Sequence, residues 1–165
     1  MISLRPLEPE DLDLLYRIEN APEAWTIGLP GTCYSRFELK NYIASQTYDL
    51  VGQGQLRQTI VCDGRAIGII DLFNYEPIAQ RAEVGIALLE SERLQGAGGA
   101  ALRLLCEQAS QSLHLHQLVA KISHRTHAAC KAIFEENAFR AVATLPDWSF
   151  AEGSYVDVWL YSRIF

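Results

Sequence analysis

The chain has 165 residues, enough for one domain with a sizeable core. Hydrophobic residues make up 49% and charged residues 21%, which argues against a disordered chain. The formal net charge of −6 argues against nucleic-acid binding, which calls for a basic face; it mildly favours a cationic substrate, but solubility alone accounts for it.

The first stretch, ISLRPL (2–7), reads as a strand, and EPEDLDLLYRIEN (8–20) as a helix. Pro9 suits a first helical position, Glu10 and Asp11 sit where the helix dipole favours acids, and Leu12, Leu15, Tyr16 and Glu19 share one face. Residues 21–34, rich in proline and glycine and holding Trp25, read as a loop. Ser35 and Glu38 have capping-box spacing and open a helix to about Ser45, followed by a loop around Gly52 and Gly54. RQTIVCDGRAIGIIDLF (57–73) reads as a hairpin turning at Asp63-Gly64. AEVGIALL (82–89) is a strand, the glycine stretch after it opens a helix to about Ser112, HQLVAKIS (116–123) is a strand and HAACKAIFEEN (127–137) a helix. The last 27 residues read as two strands joined by Ala151-Glu152-Gly153. The order β, α, α, β, β, β, α, β, α, β, β contains a β-α-β unit, so part of the sheet is expected to be parallel. The class is α+β or mixed α/β, a central mixed sheet flanked by helices, in one domain over 1–165.

The four cysteines, Cys33, Cys62, Cys106 and Cys130, have no short metal-ligand spacing, and the four histidines fit no standard site, so no metal is expected. Met1 leads into ISLRPL without a basic-then-apolar signal, and no apolar run approaches the ~20 residues that span a bilayer. The expectation is a cytoplasmic protein with reduced thiols and no membrane or nucleic-acid partner.

LQGAGGAALRLL (94–105) carries the most specific signal. A strand, a glycine-rich turn and a helix N-terminus make an anion site, because the free backbone N–H groups point at the ligand. The spacing is neither the dinucleotide fingerprint nor a P-loop. The competing reading is a tight turn that serves packing alone. Gln95-Gly96-Ala97-Gly98-Gly99-Ala100 resembles the acetyl-CoA signature Q/R-x-x-G-x-G/A of the GNAT N-acetyltransferase superfamily, and Arg93 to Gly98 matches it two residues earlier. The later register makes Gly99 to Leu102 the first helical turn. LRPLEPEDL, CDGRAIGIIDL, RAEVGI and GSYVDVWLYSRIF are similar to the branch of ribosomal-protein N-terminal and spermidine N-acetyltransferases, so the resemblance runs nearly end to end.

The resemblance implies the GNAT acyl-CoA N-acyltransferase fold, with acetyl-CoA as cosubstrate. Gln95, Gly96, Ala97, Gly98, Gly99 and Ala100 would hold the CoA pyrophosphate. Ile86, Ala87 and Leu88 would pair with the pantetheine arm, one N–H facing the thioester oxygen as charge builds there. Many relatives carry Lys or Arg at the position of Ala97, so the phosphate here would depend more on backbone dipoles, with Arg93 or Arg103 as candidate helpers. Acetyl transfer requires an amine, whose alkylammonium pKa is ~10.4, to lose a proton, and Glu83 is the candidate base. The alternative is a surface glutamate paired with Arg81 or a neighbouring strand.

Relatives often show a helix motif N-x-x-A-x-x-x-Y-x-x-x-G-F whose tyrosine protonates the leaving thiolate. Here His127 replaces the asparagine, Phe134 the tyrosine and Ala138 the glycine, with His127 and Phe134 expected beside the cofactor and Asn137 expected to take the left-handed helix cap. Substitute acids are Cys130, Tyr155, Tyr161 and Ser91. The acceptor would be a primary amine, either a peptide N-terminus or a small cationic amine, with a polyamine or aminoglycoside as the alternative class. Its walls would be the 21–34 loop and the final hairpin around Asp147, Trp148 and Glu152, with Glu19, Glu23 and Glu76 as further candidates to recognise a cation. A rival reading is an acyl-CoA-binding module with weak or no turnover. Relatives are often dimers, which leaves a homodimer open.

Overall fold

The computed structural model describes residues 1–21, 33–93, 95–126 and 128–165; Glu23, Trp25 and His127, with most of the 21–34 loop, lie outside the described residues. Among the described residues seven strands form one sheet: β1 (Ile2–Pro6), β2 (Leu56–Cys62), β3 (Arg65–Glu76), β4 (Arg81–Leu88), β5 (Gln117–Ser123), β6 (Arg140–Ala151) and β7 (Ser154–Ile164). Their order is β1-β2-β3-β4-β5-β7-β6. The β4–β5 pair is parallel and every other pair antiparallel, as a single β-α-β crossover among hairpins requires. The helices are α1 (Leu12–Glu19), α2 (Arg36–Ser45), α3 (Leu50–Gln53), α4 (Ala97–Gln111) and α5 (Ala128–Glu136). This is the mixed α/β architecture expected from the sequence.

Local chemistry accounts for the boundaries. Both two-residue hairpin turns place two residues at positive φ: Asp63 (48°) with Gly64 (81°), and Glu152 (49°) with Gly153 (80°). This is the type I′ geometry that matches strand twist. Ser35 caps α2 as expected, its Oγ accepting from the Glu38 N–H at 3.1 Å while Glu38 accepts from the Ser35 N–H at 2.8 Å. The loop expected around Gly52 contains the single-turn α3 instead, because the Asp49 carboxylate accepts from the Gly52 N–H at 3.0 Å.

The sheet buries a different core on each face. On one, α4 and α5 pack Leu102, Leu105 and Phe134 against Leu72, Leu118 and Tyr161. On the other, α1 and α2 pack Leu14, Leu15, Ile18, Leu39 and Ile43 over Ile69. The buried face of α1 is thus Leu14, Leu15 and Ile18, whereas Leu12 and Tyr16 lie at its margin. Asp11 is more than a dipole-compensating acid. It is 2% exposed and accepts two hydrogen bonds from Arg5 (2.6 and 2.8 Å), one from the Thr59 hydroxyl (2.8 Å) and one from the Glu8 N–H (2.9 Å). Burial alone would push the Asp11 carboxyl up, but these donors outweigh it and hold the group below the usual carboxylate range.

One irregularity in the sheet positions the site. β4 pairs with β3 as far as Leu88, and β5 pairs with β7 as far as Ser123, yet β4 and β5 pair only from Arg81–Gln117 to Glu83–Val119. Beyond Glu83 the two halves of the sheet separate.

Candidate active site

The separation leaves the β4 edge from Val84 to Leu88, on the side away from β3, without a strand partner among the described residues. The Leu89 N–H donates to the Ile67 carbonyl on the β3 side. Strand alternation then turns the N–H groups of Ile86 and Leu88 toward the open side and that of Ala87 toward β3. The edge therefore offers a row of backbone donors and acceptors to an extended ligand, as the parting of strands in an open α/β sheet generally does.

Just beyond this edge, α4 begins at Ala97, two residues earlier than the expected first turn at Gly99. Gly96 is its N-cap at φ 82°, a left-handed conformation that glycine adopts without Cβ strain, and no side chain among the described residues caps the helix. The Ala100 N–H reaches the Gly96 carbonyl at 3.2 Å, so the N–H groups of Ala97, Gly98 and Gly99 precede the helical ladder. Gln95 closes the turn by donating to the Ser91 carbonyl at 2.8 Å. A pocket of about 310 Å³ lies here, lined by Gly96, Gly99, Ala100, Arg103, Glu136 and Asn137.

The glycines divide between the two readings offered by the sequence. A Cβ on Gly96 would meet nothing within 4 Å, so that position is open to a ligand. A Cβ on Gly98 would lie 3.3 Å from Ile133 Cδ1, 3.5 Å from Leu88 Cδ1 and 3.7 Å from Ile86 Cδ1. Gly98 therefore lets α4 pack closely on β4 and α5, which brings the helix N-terminus to the open strand edge.

Glu83 sits at the point of separation and is 8% exposed. Its Oε2 accepts from Lys121 Nζ at 3.1 Å and from Asn74 Nδ2 at 3.2 Å. The pairing with neighbouring strands that the sequence left open is thus present, through two residues it did not single out, but Glu83 is buried and not a surface glutamate. Asn74 takes φ 50° within an irregularity of the β3–β4 ladder between Phe73 and Glu76, and such bulges re-aim side chains. Lys121 comes from β5, and its ammonium lies 5.6 Å from the Trp148 ring centroid of the final hairpin. The Oε1 atom of Glu83 has no hydrogen-bond donor among the described residues.

Phe134 is 3% exposed and meets Phe139 edge-on with ring centroids 5.1 Å apart. The left-handed cap that closes α5 falls on Ala138 (φ 63°) and not on Asn137, because Asn137 turns its amide to the carbonyls of Ile133 (2.7 Å) and Gly99 (3.3 Å). Of the substitute acids, Tyr161 is fully buried and donates to Glu135 at 2.9 Å. Burial together with that bond pushes its hydroxyl up to about 12, which makes it a poor proton donor at neutral pH. Burial also raises the Cys130 thiol. Tyr155 is exposed against Phe150.

On the acceptor side, two of the acids singled out from the sequence are already engaged. Glu19 accepts from Arg57 at 2.7 Å, and the same guanidinium makes a two-pronged contact with Asp71, each bond 2.8 Å. Burial works against the charge on Arg57, but Asp71, Tyr42 and Glu19 outweigh it and raise its pKa. Glu152 accepts from Arg125 at 2.5 Å. Asp147 and Glu76 are exposed. No helix among the described residues is long and apolar enough to cross a membrane.

Residues 2–140 match the family model described as an acetyltransferase (GNAT) domain. The chain is 23% identical over 154 residues to spermidine N(1)-acetyltransferase of Escherichia coli K12, covering 93% of this chain and 81% of that protein. Its fold is similar to that of RimL, a ribosomal L7/L12 α-N-protein acetyltransferase solved with CoA, at TM-score 0.87 and 22% identity over 99% of this chain and 94% of that one. It is similar also to spermidine N-acetyltransferase of Vibrio cholerae solved with CoA and spermine, at TM-score 0.86 and 19% identity over 99% and 95%. The chain belongs to the GNAT acetyltransferase family and is an enzyme that transfers an acetyl group from acetyl-CoA to an amine.

Proposed function

We propose that acetyl-CoA lies in the split between β4 and β5, its pantetheine arm along Ile86, Ala87 and Leu88 and its pyrophosphate on the backbone from Gly96 to Ala100. The observation that carries this reading is the junction of two rows of backbone donors, the strand edge and the α4 N-terminus, at the Leu88–Gly98 contact. Gln95 holds the turn, and Arg103 in the adjoining pocket supplies the positive charge that relatives carry at the position of Ala97. Phe134, and His127 by its place in the helix motif, are assigned to the cosubstrate's border.

Glu83 is the base. Its Oε1 takes a proton from the acceptor nitrogen, directly or through water, as that nitrogen bonds to the acetyl carbon. A strand N–H at Ile86 or Leu88 faces the thioester oxygen and strengthens as that oxygen gains charge. The carbon–sulfur bond then breaks, the nitrogen gives up its second proton to water as the amide forms, and CoA leaves as a thiolate that takes a proton from solvent. Phe134 has no proton to give, but release of a thiol of pKa ~8.5 as its anion at pH 7 costs only about 2 kcal/mol.

Residues 1–165 act as one domain in this reading, since β6 and β7 bring Trp148 to the site. The acceptor is a primary amine, from a peptide N-terminus or a small cation, handled in the cytoplasm. Titration with CoA in a thermal melt, followed by thiol release across an amine panel, tests the reading. A rise in Tm with CoA and release with at least one primary amine are expected. No rise in Tm with CoA or acetyl-CoA would overturn it.

A further inference from the structure

We propose that Lys121 is a specificity-determining residue that makes the site prefer an amine with a neighbouring carbonyl or carboxylate oxygen, as an α-amine has, over an amine flanked by a second positive charge. The proposal rests on the reading of Glu83 as the base. An ammonium has three donors, and Lys121 Nζ spends one on Glu83 Oε2 at 3.1 Å. No other hydrogen-bond acceptor is recorded for it among the described residues, and its flank is the Trp148 ring at 5.6 Å. The side chain is 35% exposed, so its remaining donors are accessible to a ligand that reaches Glu83.

An acceptor whose nitrogen reaches Glu83 Oε1 places its next substituent beside this ammonium. An oxygen there gains a charge-assisted hydrogen bond, whereas a second ammonium meets a like charge. Two of the acids that would offset that repulsion are already committed, Glu19 to Arg57 and Glu152 to Arg125, and Asp147 and Glu76 stand exposed to solvent, where screening weakens their pull on a second ammonium. The class selected is therefore the α-amine with its following carbonyl, whether it comes from a peptide or from a free amino acid.

The test is kcat/KM for CoA release by the parent enzyme, Lys121→Met and Lys121→Arg. The panel holds a short peptide with a free N-terminus, an amino-acid amide, the free amino acid, an alkylamine of matched length and spermidine. The parent is expected to prefer the α-amines over the alkylamine by roughly tenfold or more, the size of one hydrogen bond to a charged group. Lys121→Met is expected to erase most of that ratio, chiefly through KM of the acceptor, and to improve spermidine; Lys121→Arg is expected to keep the ratio. The peptide, amide and free-acid arms tell the sources apart. A parent that prefers spermidine, or a ratio that Lys121→Met leaves unchanged at an unaltered Tm, overturns the proposal alone. A Lys121→Met variant too unstable to assay leaves the decision to Lys121→Arg and the parent's own ratio. CoA binding with no turnover of any amine overturns the role of Glu83 and this proposal together.

Discussion

Glu83→Gln isolates the chemical step from the scaffold. Glutamine keeps the length and planar shape of the side chain, and an amide oxygen still accepts from Asn74 and Lys121. What disappears is the charge that takes up the amine proton. General base catalysis contributes about 10²–10⁴-fold, so kcat is expected to fall by about a hundredfold or more. The structural cost is small. Lys121 loses an ionic partner, but its side chain is 35% exposed, so the pair is worth under about 1 kcal/mol. For a chain of this size that is a fall in Tm of about 2–4 °C. The assay is initial CoA-thiol release at saturating acetyl-CoA and amine, with the KM of acetyl-CoA and the melting curve measured on the same samples. A large loss in kcat with acetyl-CoA affinity and Tm nearly unchanged is expected. Equal kcat in parent and variant would remove Glu83 from the mechanism, and a loss that follows a Tm drop several times larger would make its role structural.

Phe134→Tyr is expected to leave CoA affinity intact and raise kcat by restoring a proton donor at the position where relatives carry one. An unchanged rate would show that thiolate release does not limit turnover. Gly98→Val places a side chain where even a Cβ would lie 3.3 Å from Ile133 and 3.5 Å from Leu88, so overpacking of about 1–3 kcal/mol is expected in urea denaturation, with weaker CoA binding. Parent-like stability would refute the close packing of α4 on β4. Asp11→Asn removes the carboxylate held by Arg5 and Thr59. The folded pKa of Asp11 lies below its unfolded value, so its contribution is fully present above the ordinary carboxylate pKa and is lost as pH falls through the folded one. The variant is expected to be less stable than the parent at pH 7, and the gap to narrow as pH is lowered below 4. A gap that stays constant in denaturation at both pH values would contradict the assignment.

The elements were legible because their signals are local. The capping box at Ser35, the Asp63-Gly64 turn and the alternation of HQLVAKIS each lie within a few residues, and each forms as read. The glycine stretch was legible as a helix start but not in its register, since a left-handed cap at Gly96 and a packing glycine at Gly98 have the same letter. The partners of Glu83 were hidden for a different reason. Lys121 reaches it through the parallel register that pairs Glu83 with Val119, 36 positions apart by the same numbering, and Asn74 through a bulge that no local pattern announces. The Arg57–Asp71–Glu19 cluster and the burial of Asp11 likewise depend on strand pairing across the sheet. Sequence position suggested an N-terminal helix acid for Asp11 and nothing particular for Lys121, and tertiary register gave each its partner.

The central claim is that the split of β4 from β5 and the α4 N-terminus together hold the cosubstrate. A crystal structure with CoA bound tests it most directly. The account predicts pyrophosphate oxygens within hydrogen-bond distance of the N–H groups between Gly96 and Ala100, and the pantetheine arm paired along Ile86 to Leu88 with its sulfur near Glu83. CoA seated elsewhere, with this helix terminus and strand edge left bare, would contradict it.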